Sequence, residues 1–228
     1  MKLIIFDIDG TLLNSSSIDD GCLIRTFKDL YSMNISEADW NELKSKTTGT
    51  DIELSRLIFK SKFDREPDTK EIERIKKHFH QLLIFSFESQ KEAFSEIPGA
   101  KDIFSELRKS EDFVVGISTG SWKLSAIIKL RKINIIPNGI PFSHADKFSN
   151  RNEIVKDTIE QAKLKYKIDE FEKIIYIGDG EWDFKTTREI GIDFIGIDCN
   201  RNNILKSLGA TFVLENFNNK ATFFSYIS

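Results

Sequence analysis

Cysteine is scarce in this sequence of 228 residues, which contains only Cys22 and Cys199, far apart in the chain. Two distant thiols argue against the disulfide framework of a small secreted domain and suit a reducing compartment. Long apolar runs are also missing. A run of four apolar residues precedes Asp7, too few for a signal peptide, and no stretch approaches the ~20 apolar residues of a transmembrane helix. We therefore expect a cytoplasmic protein that has no membrane partner.

An excess of charge of one sign is also absent. The 33 basic and 36 acidic residues leave a net charge of -3, and the basic residues are spread along the chain. This balance gives no electrostatic reason to expect nucleic-acid binding. Internal repeats and low-complexity segments are missing as well. A content of 40% hydrophobic and 30% charged residues is typical of a globular protein, and this length fits one domain, or one domain with an insert.

The first eleven residues, MKLIIFDIDGT, hold the most informative pattern in the chain. The apolar run Leu3 to Phe6 predicts a strand buried on both faces of a parallel sheet. Asp7 and Asp9 follow it and point to the same side of an extended chain, at the strand end where open α/β sheets bind ligands. Two such close carboxylates require a cation or a shared proton, and Gly10 allows a sharp turn after them. An ordinary Asp-Gly turn at a strand end is the alternative.

The rest of the chain divides into two patterns. From Asp20 to about Glu96 the apolar residues recur at helical spacing, with a helix start at Ser36 and a helix over Asp51 to Phe63, which predicts an all-helical insert. After Pro98-Gly99, strand and helix patterns alternate, which predicts a parallel sheet with right-handed crossovers. The predicted strands here are Phe113 to Ile117, Gly139 to Phe142, Ile174 to Ile177, Phe194 to Ile197 and Thr211 to Leu214. The predicted helices are Ala100 to Lys109, Trp122 to Lys132, Asn150 to Tyr166 and a short one that ends at Ile190.

The motif DIDGTLL after an apolar strand resembles the first motif, DxDGT, of the haloacid dehalogenase superfamily, whose members are mostly Mg²⁺-dependent phosphohydrolases. The closing stretch GIDFIGIDCNRN and LGATFVLENF is also similar to that superfamily. The helical insert lies where one subgroup, typified by phosphoglycolate phosphatase and β-phosphoglucomutase, carries a helical cap. The resemblance implies an α/β, Rossmann-like parallel sheet with helices on both faces and an all-helical cap inserted after the first strand. We place the core domain at residues 1–15 and 97–228 and the cap at 16–96.

The second motif of the superfamily is a Ser or Thr at the end of the second core strand, and VVGISTGSW supplies it. A small hydroxyl with nearby backbone N–H groups can hold a phosphoryl oxygen. The order Thr-Gly-Ser-Trp before a helix favours Thr119 over its neighbour Ser118, with Gly120 behind it. A turn and helix cap without a ligand is the alternative.

The fourth motif, GDxxxD, resembles YIGDGEWD, where Asp179 follows a predicted strand and Asp183 comes one helical turn later. The resemblance implies that Asp7, the backbone carbonyl of Asp9, and Asp179 bind Mg²⁺, with Asp183 behind them or bound through water. Hard oxygen ligands suit this ion. The alternative is a helix N-terminus that carries acids because the helix dipole favours them.

The third motif departs from the family pattern, which usually has a Lys, often followed by Pro, before a long helix. The stretch FSHADKFSNRNEIVKD has no Lys-Pro, and the candidate cations are Lys147 and Arg151. Arg151 opens the predicted helix Asn150 to Tyr166 and is favoured, but both could be solvated surface cations.

The loop KTTGT between two insert helices resembles the loop that family caps project at the substrate, which makes Thr48 and Gly49 candidate substrate contacts. An ordinary interhelix turn is the alternative. The backbone of Gly10 and Gly120 and the Lys147 side chain are further candidate substrate contacts. The three histidines, at positions 78, 80 and 144, show no metal-ligand spacing.

The resemblance implies a Mg²⁺-dependent phosphatase of a small phosphorylated metabolite. Asp7 would attack phosphorus to form an aspartyl-phosphate, and Asp9 would protonate the leaving oxygen and then deprotonate water. Thr119 and Arg151 (or Lys147) would neutralise the transferring group. A dehalogenase is disfavoured because Asp9 and the GDxxxD acids suit metal and phosphoryl chemistry. A phosphomutase, or a non-catalytic phosphate-binding regulatory protein on this fold, remains the alternative. We expect a monomer or homodimer.

Overall fold

The computed structural model describes residues 1–89 and 94–227. The predicted cap includes residues 90–93, and the predicted core includes residue 228, so these parts of the two predictions lie outside the described residues. The described strands are β1 (Lys2–Phe6), β2 (Leu13–Asn14), β3 (Ser95–Glu96), β4 (Phe113–Ser118), β5 (Phe142–Ser143), β6 (Lys173–Gly178), β7 (Asp193–Ile197) and β8 (Val213–Leu214). The described helices are α1 (Ser16–Tyr31), α2 (Glu37–Ser45), α3 (Asp51–Phe63), α4 (Thr69–Ser89), α5 (Ala100–Lys109), α6 (Lys123–Lys132), α7 (Arg151–Tyr166), α8 (Glu181–Ile190), α9 (Ile204–Ser207) and α10 (Lys220–Ile227).

A six-stranded sheet in the order β5-β4-β1-β6-β7-β8 forms the centre of the molecule, and every neighbouring pair is parallel. Strand β1 lies between β4 and β6, with Ile4 opposite Val115 and Ile175. Its residues from Leu3 to Phe6 are fully buried, as the unbroken apolar run predicted. The predicted α/β, Rossmann-like architecture is confirmed.

The two faces of the sheet bury two separate apolar clusters, because successive side chains of a strand point to opposite faces. Leu3 and Ile5 pack with Val155 and Ile159 of α7 on one face. Ile4 and Phe6 belong to the larger cluster on the other face, which also takes in buried apolar residues of α5, α6 and α10. The sheet is therefore covered on both sides by apolar residues.

The carboxyl ends of the three central strands lie level with one another. Phe6 is opposite both Ile117 and Ile177. The residues that follow β1, β4 and β6 therefore meet at one edge of the sheet, which is the edge at which we predicted the site.

Helices α1 to α4 lie between β2 and β3, as the helical periodicity predicted. Ser36 caps α2 through a capping box: Asp39 N–H donates to Ser36 Oγ at 3.2 Å, and Ser36 N–H donates to Asp39 Oδ2 at 3.1 Å. Buried side chains of α3 and α4 join the same apolar cluster as β1. The limits of the core and cap as separate domains stay a prediction.

Several short elements differ from the predictions. Strands β2 and β3 pair antiparallel at the ends of the helical segment, where we expected no strand, and two residues are too few to show an alternating pattern. Strand β5 begins at Phe142, not at Gly139, and helices α9 and α10 were not predicted. Edge strands and terminal helices carry weak periodicity because tertiary packing decides them. No helix in the described ranges has the length and apolar content needed to cross a membrane.

Candidate active site

Three carboxylates converge at the carboxyl edge of the sheet. Asp7 follows β1, Asp179 follows β6, and Asp183 lies in the first turn of α8. One oxygen of each lies within 4.8 Å of the others. Asp7 is 3% exposed and Asp183 is fully buried. Gly10 permits this approach, because its φ is +75° and a Cβ there would lie 1.9 Å from Asp179 Oδ2.

Arg151 lies between two of these acids. Its Nη2 is 3.2 Å from Asp7 Oδ1 and 2.9 Å from Asp183 Oδ1. Its Nε donates a further hydrogen bond to Asp183 Oδ1 at 3.0 Å. The side chain is 2% exposed, and its Nη1 is buried without a hydrogen-bond partner. Arg151 thus places positive charge beside Asp7 and keeps one N–H group available for an anion.

Asp183 is fixed by neutral donors as well as by Arg151. The buried Tyr176 hydroxyl lies 3.1 Å from Asp183 Oδ1, and Gly180 N–H donates to Asp183 Oδ2 at 3.1 Å. Gly178 leaves the space for this carboxylate, since a Cβ there would lie 2.4 Å from Asp183 Oδ2. Sequence analysis missed Tyr176, because a Tyr in a buried strand usually signals packing alone.

Lys147, the alternative third-motif cation, lies outside this group of acids. Its Nζ is 2.6 Å from Asp157 Oδ1, and its side chain is 61% exposed. The structure therefore brings Arg151 to Asp7 and leaves Lys147 on the surface. A substrate-binding role for Lys147 has no support from this placement.

The Asp9 side chain contacts a buried lysine. Lys129 Nζ lies 2.6 Å from Asp9 Oδ1 and also pairs with Asp19. Ser121 Oγ accepts from Lys129 at 2.9 Å and donates to Asp9 Oδ2 at 2.8 Å, and Ser15 Oγ donates to Asp9 Oδ1. Burial raises the pKa of Asp9, but Lys129 and these hydrogen bonds outweigh it and hold the pKa below its ordinary value.

The sequence analysis did not identify Lys129, although its position on the apolar face of a helix indicates a buried residue. In the helix KLSAIIKLRK it stands three residues after Ala126, on the buried face, and it is fully buried. A lysine on an apolar helix face is seldom buried without an acid to pair with it. The partners themselves come from distant parts of the chain, so the sequence alone could not name them.

The loop after β4 closes against the helical segment. Asp51 N–H donates to the Gly120 carbonyl at 2.8 Å, and Asp51 Oδ2 accepts from Trp122 N–H at 2.9 Å. Thr50 Oγ1 donates to the Ser149 carbonyl at 2.8 Å. Burial raises the pKa of Asp51 to about 6, with Lys129 opposing the shift. The N-terminus of α3 is therefore fixed to the two core loops beside Arg151.

Thr119 directly follows β4, and Ser118 is the last residue of the strand. Thr119 is fully buried, and its Oγ1 accepts from Ser121 N–H at 3.1 Å. The Ser118 hydroxyl is buried and has no partner. The cavity wall in this loop is formed by Gly120 and Ser121. A contact between Thr119 and a phosphoryl group therefore stays a prediction.

The candidate cap loop has one residue at the cavity and one beside it. Gly49 lines the cavity and packs on Trp182, so a Cβ at Gly49 would lie 2.5 Å from that ring. Thr48 lies behind it, where its N–H and hydroxyl donate to Glu53 Oε2 at 2.6 and 2.7 Å. Of the two predicted contacts, the structure brings Gly49 to the cavity and ties Thr48 to Glu53.

Gly120 of the core packs tightly against this loop. A Cβ at Gly120 would lie 1.8 Å from the Gly49 carbonyl oxygen and 2.9 Å from Arg151 Nη1. We expect Gly120→Ala to push the loop away from the core and to reduce kcat/KM at least about tenfold, because small displacements of positioned groups are costly in catalysis. Steady-state kinetics on an aryl phosphate, with thermal unfolding as a check on the fold, measures this.

The matched control is Gly21→Ala, because a Cβ at this position of α1 meets nothing within 4 Å. It should keep activity and leave stability unchanged or raised by up to ~1 kcal/mol, since Ala is the better helix former. Equal kinetics for Gly120→Ala and the wild type would contradict a tight contact at this point.

The donor set fits a divalent cation. Asp7, Asp179 and Asp183 offer only carboxylate oxygens, the ligand type that Mg²⁺ prefers. Burial raises the pKa of Asp179, and Asp183, Asp7 and Asp9 raise it further, while Arg151 opposes them. Burial likewise raises the pKa of Asp7 against the effect of Arg151. One guanidinium leaves this crowding of carboxylates incompletely balanced, and a bound cation would relieve it.

Comparisons with known proteins identify the family and the fold. A family model described as haloacid dehalogenase-like hydrolase matches residues 4–197. No curated protein matches the sequence. A hydrolase from Pseudomonas syringae has a similar structure, with a TM-score of 0.75, 20% identity and full coverage of both chains.

Two further structures show the same fold. CbbY from Rhodobacter sphaeroides, in complex with phosphate, has a TM-score of 0.73 and 16% identity over 95% of each chain. A protein from Haemophilus somnus described as a predicted phosphoglycolate phosphatase has a TM-score of 0.66 and 17% identity over 98% of each chain. At these identities the likeness extends to the fold alone.

Proposed function

Because this chain belongs to the family of haloacid dehalogenase-like hydrolases, we propose that it is a Mg²⁺-dependent phosphatase that hydrolyses a small phosphorylated metabolite through a phosphorylated Asp7. The observation that carries the proposal is the buried Asp7 carboxylate, which faces a cavity beside Arg151 and two further acids. In this proposal, the nucleophile, the neutralising cation and the oxygen ligands for a metal lie together at the carboxyl edge of the sheet.

Asp7 provides the nucleophile in this proposal. One of its oxygens attacks phosphorus, the bond from phosphorus to the leaving oxygen breaks, and the phosphoryl group becomes bound to Asp7 as an acyl phosphate. Water then attacks phosphorus, releases inorganic phosphate and restores the carboxylate. A carboxylate repels a phosphate dianion, so the reaction needs positive charge nearby. Arg151 supports this role through its contact with Asp7 and its unpartnered Nη1.

Asp9 moves the proton. It would protonate the leaving oxygen in the first step and take a proton from water in the second. Lys129, Ser121 and Ser15 hold its carboxylate in one orientation. These contacts hold the Asp9 carboxylate at the cavity that Asp7 also lines, which supports its role in proton transfer.

The metal would be held by Asp7, Asp179 and the backbone carbonyl of Asp9, with Asp183 beside them. When bound, it supplies charge that neutralises the phosphoryl oxygens. Among the described residues, Arg151 is the cation that contacts Asp7, and one guanidinium does not balance three carboxylates, which supports the need for a metal cation.

A phosphomutase is the second candidate, because Gly49 of the helical segment packs against Gly120 of the core at the cavity, where a cap could limit the access of water. A mutase would return the phosphoryl group to a substrate hydroxyl, whereas a phosphatase releases it as inorganic phosphate. The cytoplasmic location remains a prediction from cysteine usage.

Removal of Mg²⁺ tests the metal requirement. We expect hydrolysis of p-nitrophenyl phosphate to stop in excess chelator and to return when Mg²⁺ is added. As a readout without turnover, Mg²⁺ should raise the thermal unfolding temperature of the wild type, since a ligand that binds the folded state stabilises it. Asp179→Asn should lose this shift. Full activity in chelator would contradict the metal-dependent proposal.

A further inference from the structure

The phosphoryl end of the cavity has one buried cationic donor free for a ligand. Arg151 Nη1 has no hydrogen-bond partner, lines the cavity with Asp7 and lies beside Gly120. This donor serves the phosphoryl group itself, because it belongs to the side chain that contacts the nucleophile.

The opposite wall, formed by the helical segment, is acidic. It presents Asp19, Asp20 and Asp51 to the cavity, against one cation, Lys44. Asp20 already holds Lys44, with its Oδ2 2.9 Å and its Oδ1 3.2 Å from Lys44 Nζ. Burial raises the pKa of Asp19 and Asp51. A protonated carboxyl group at these positions would not repel an anion, but it would supply no positive charge to attract one.

The buried Lys129 adds no free positive charge to this wall. Its ammonium contacts both Asp9 and Asp19, and the side chain is fully buried. Among the side chains that the structure describes around this cavity, each cation on the side of the leaving group is therefore held by a carboxylate. A second phosphate or a carboxylate on the substrate would meet acids there.

The cavity is also small, at about 220 Å³. Pockets for drug-sized ligands run from about 300 to 1,000 Å³. Trp182 and Leu54 supply its apolar wall, and Trp182 is confined by the close approach of Gly49 and Gly180. A phosphoryl group takes up part of this space, and a leaving group of a few heavy atoms fits in the rest.

We propose that the substrate is a small phosphomonoester whose leaving group is a neutral or cationic alcohol, a diol or an amino alcohol, without a second anionic group. This inference rests on the proposed phosphatase function and names its substrate class. The acidic wall attracts an amine, accepts hydrogen bonds from hydroxyl groups and repels carboxylates and phosphates.

Three two-carbon esters of similar size test the charge preference: 2-aminoethyl phosphate, 2-hydroxyethyl phosphate and phosphoglycolate. We expect kcat/KM for each of the first two to exceed that for phosphoglycolate at least about tenfold, because like charges a few ångströms apart in a partly buried site repel strongly. A preference for phosphoglycolate, or equal values for all three, would overturn the inference.

A variant that removes one negative charge from the wall tests whether the wall causes the substrate preference. Asp20→Asn frees Lys44 from its counter-ion and should raise kcat/KM for phosphoglycolate about tenfold relative to 2-hydroxyethyl phosphate. The matched control is Asp29→Asn on the same helix, where Asp29 pairs with Arg25 and His78 away from the cavity. Asp29→Asn should leave the ratio of the two kcat/KM values unchanged. An equal change of this ratio in both variants would contradict a role of the acidic wall in substrate preference.

Hydrolysis of p-nitrophenyl phosphate distinguishes failure of the proposed substrate class from failure of the proposed phosphatase function. If this ester is cleaved while phosphoglycolate is preferred among the three, or while none of the three is cleaved, the substrate class is wrong and the phosphatase function stands. If neither the aryl ester nor the three alkyl esters are cleaved with Mg²⁺ present, the phosphatase function itself fails.

Discussion

Asp7→Asn is expected to reduce kcat at least about a thousandfold while the protein stays folded, since loss of a nucleophile costs this much or more in well-studied hydrolases. The amide keeps the shape of the side chain but cannot attack phosphorus. It also removes one of three crowded carboxylates, two of which are buried. The unfolding temperature without Mg²⁺ should therefore stay the same or rise, because relief of buried like-charge repulsion is stabilising.

Steady-state hydrolysis of p-nitrophenyl phosphate and thermal unfolding together measure this. Asp169→Asn is the matched control, because exposed Asp169 precedes β6 at the opposite edge of the sheet and should keep wild-type kinetics. An Asn variant at position 7 that retained more than a few per cent of activity would remove Asp7 from the role of nucleophile.

Arg151→Ala has the second-largest expected effect, a loss of about a hundredfold or more in kcat/KM, the scale of losing one strong transition-state donor. The variant leaves Asp7 and Asp183 without the guanidinium that contacts both. Arg151→Lys should recover part of the activity, since the charge remains while the planar fork is lost.

Lys147→Ala is the matched cation control for this comparison. Lys147 is 61% exposed and bound to Asp157, so its removal should change kcat/KM less than about twofold, the usual outcome for a surface ion pair. Circular dichroism should show that the Arg151 variants keep their fold. The reverse ranking, with Lys147→Ala nearly inactive and Arg151→Ala close to wild type, would place the third motif at Lys147.

The strand ends could be predicted because each carries a strong local signal. The buried runs before Asp7 and Asp179 are continuous and apolar, and a parallel sheet brings their carboxyl ends together. Asp183 follows Asp179 by one helical turn and belongs to the same group of oxygens. The strand ends, together with the resemblance to the GDxxxD motif, therefore predicted this group of carboxylates.

The cations were harder to predict. The choice between Arg151 and Lys147 depends on where α7 begins. The two positions are only four residues apart, yet the Arg151 side chain reaches Asp7 and the Lys147 side chain lies at the surface. Lys129 lies within an ordinary helical pattern, and its partners Asp9 and Asp19 are more than a hundred residues earlier in the chain. Contacts of such long range depend on tertiary packing, which local patterns do not encode.

The charge of the cavity wall could not be predicted from the sequence either. The motif KTTGT pointed to Thr48 and Gly49, yet Asp20 and Asp51 of neighbouring helices line the same cavity as Gly49. Only the packing of α1 against α3 and the core shows which acids of the helical segment reach the substrate side.

Chemical trapping of the intermediate tests the central claim most directly. The wild-type protein is mixed with a phosphate ester and Mg²⁺, quenched in acid during turnover, digested and examined by mass spectrometry. We predict a phosphoryl group on the peptide that contains Asp7, removable by hydroxylamine as expected for an acyl phosphate and missing in Asp7→Asn. Continued release of phosphate by the wild type with no label on Asp7 at any quench time, or a label on another residue, would contradict the account.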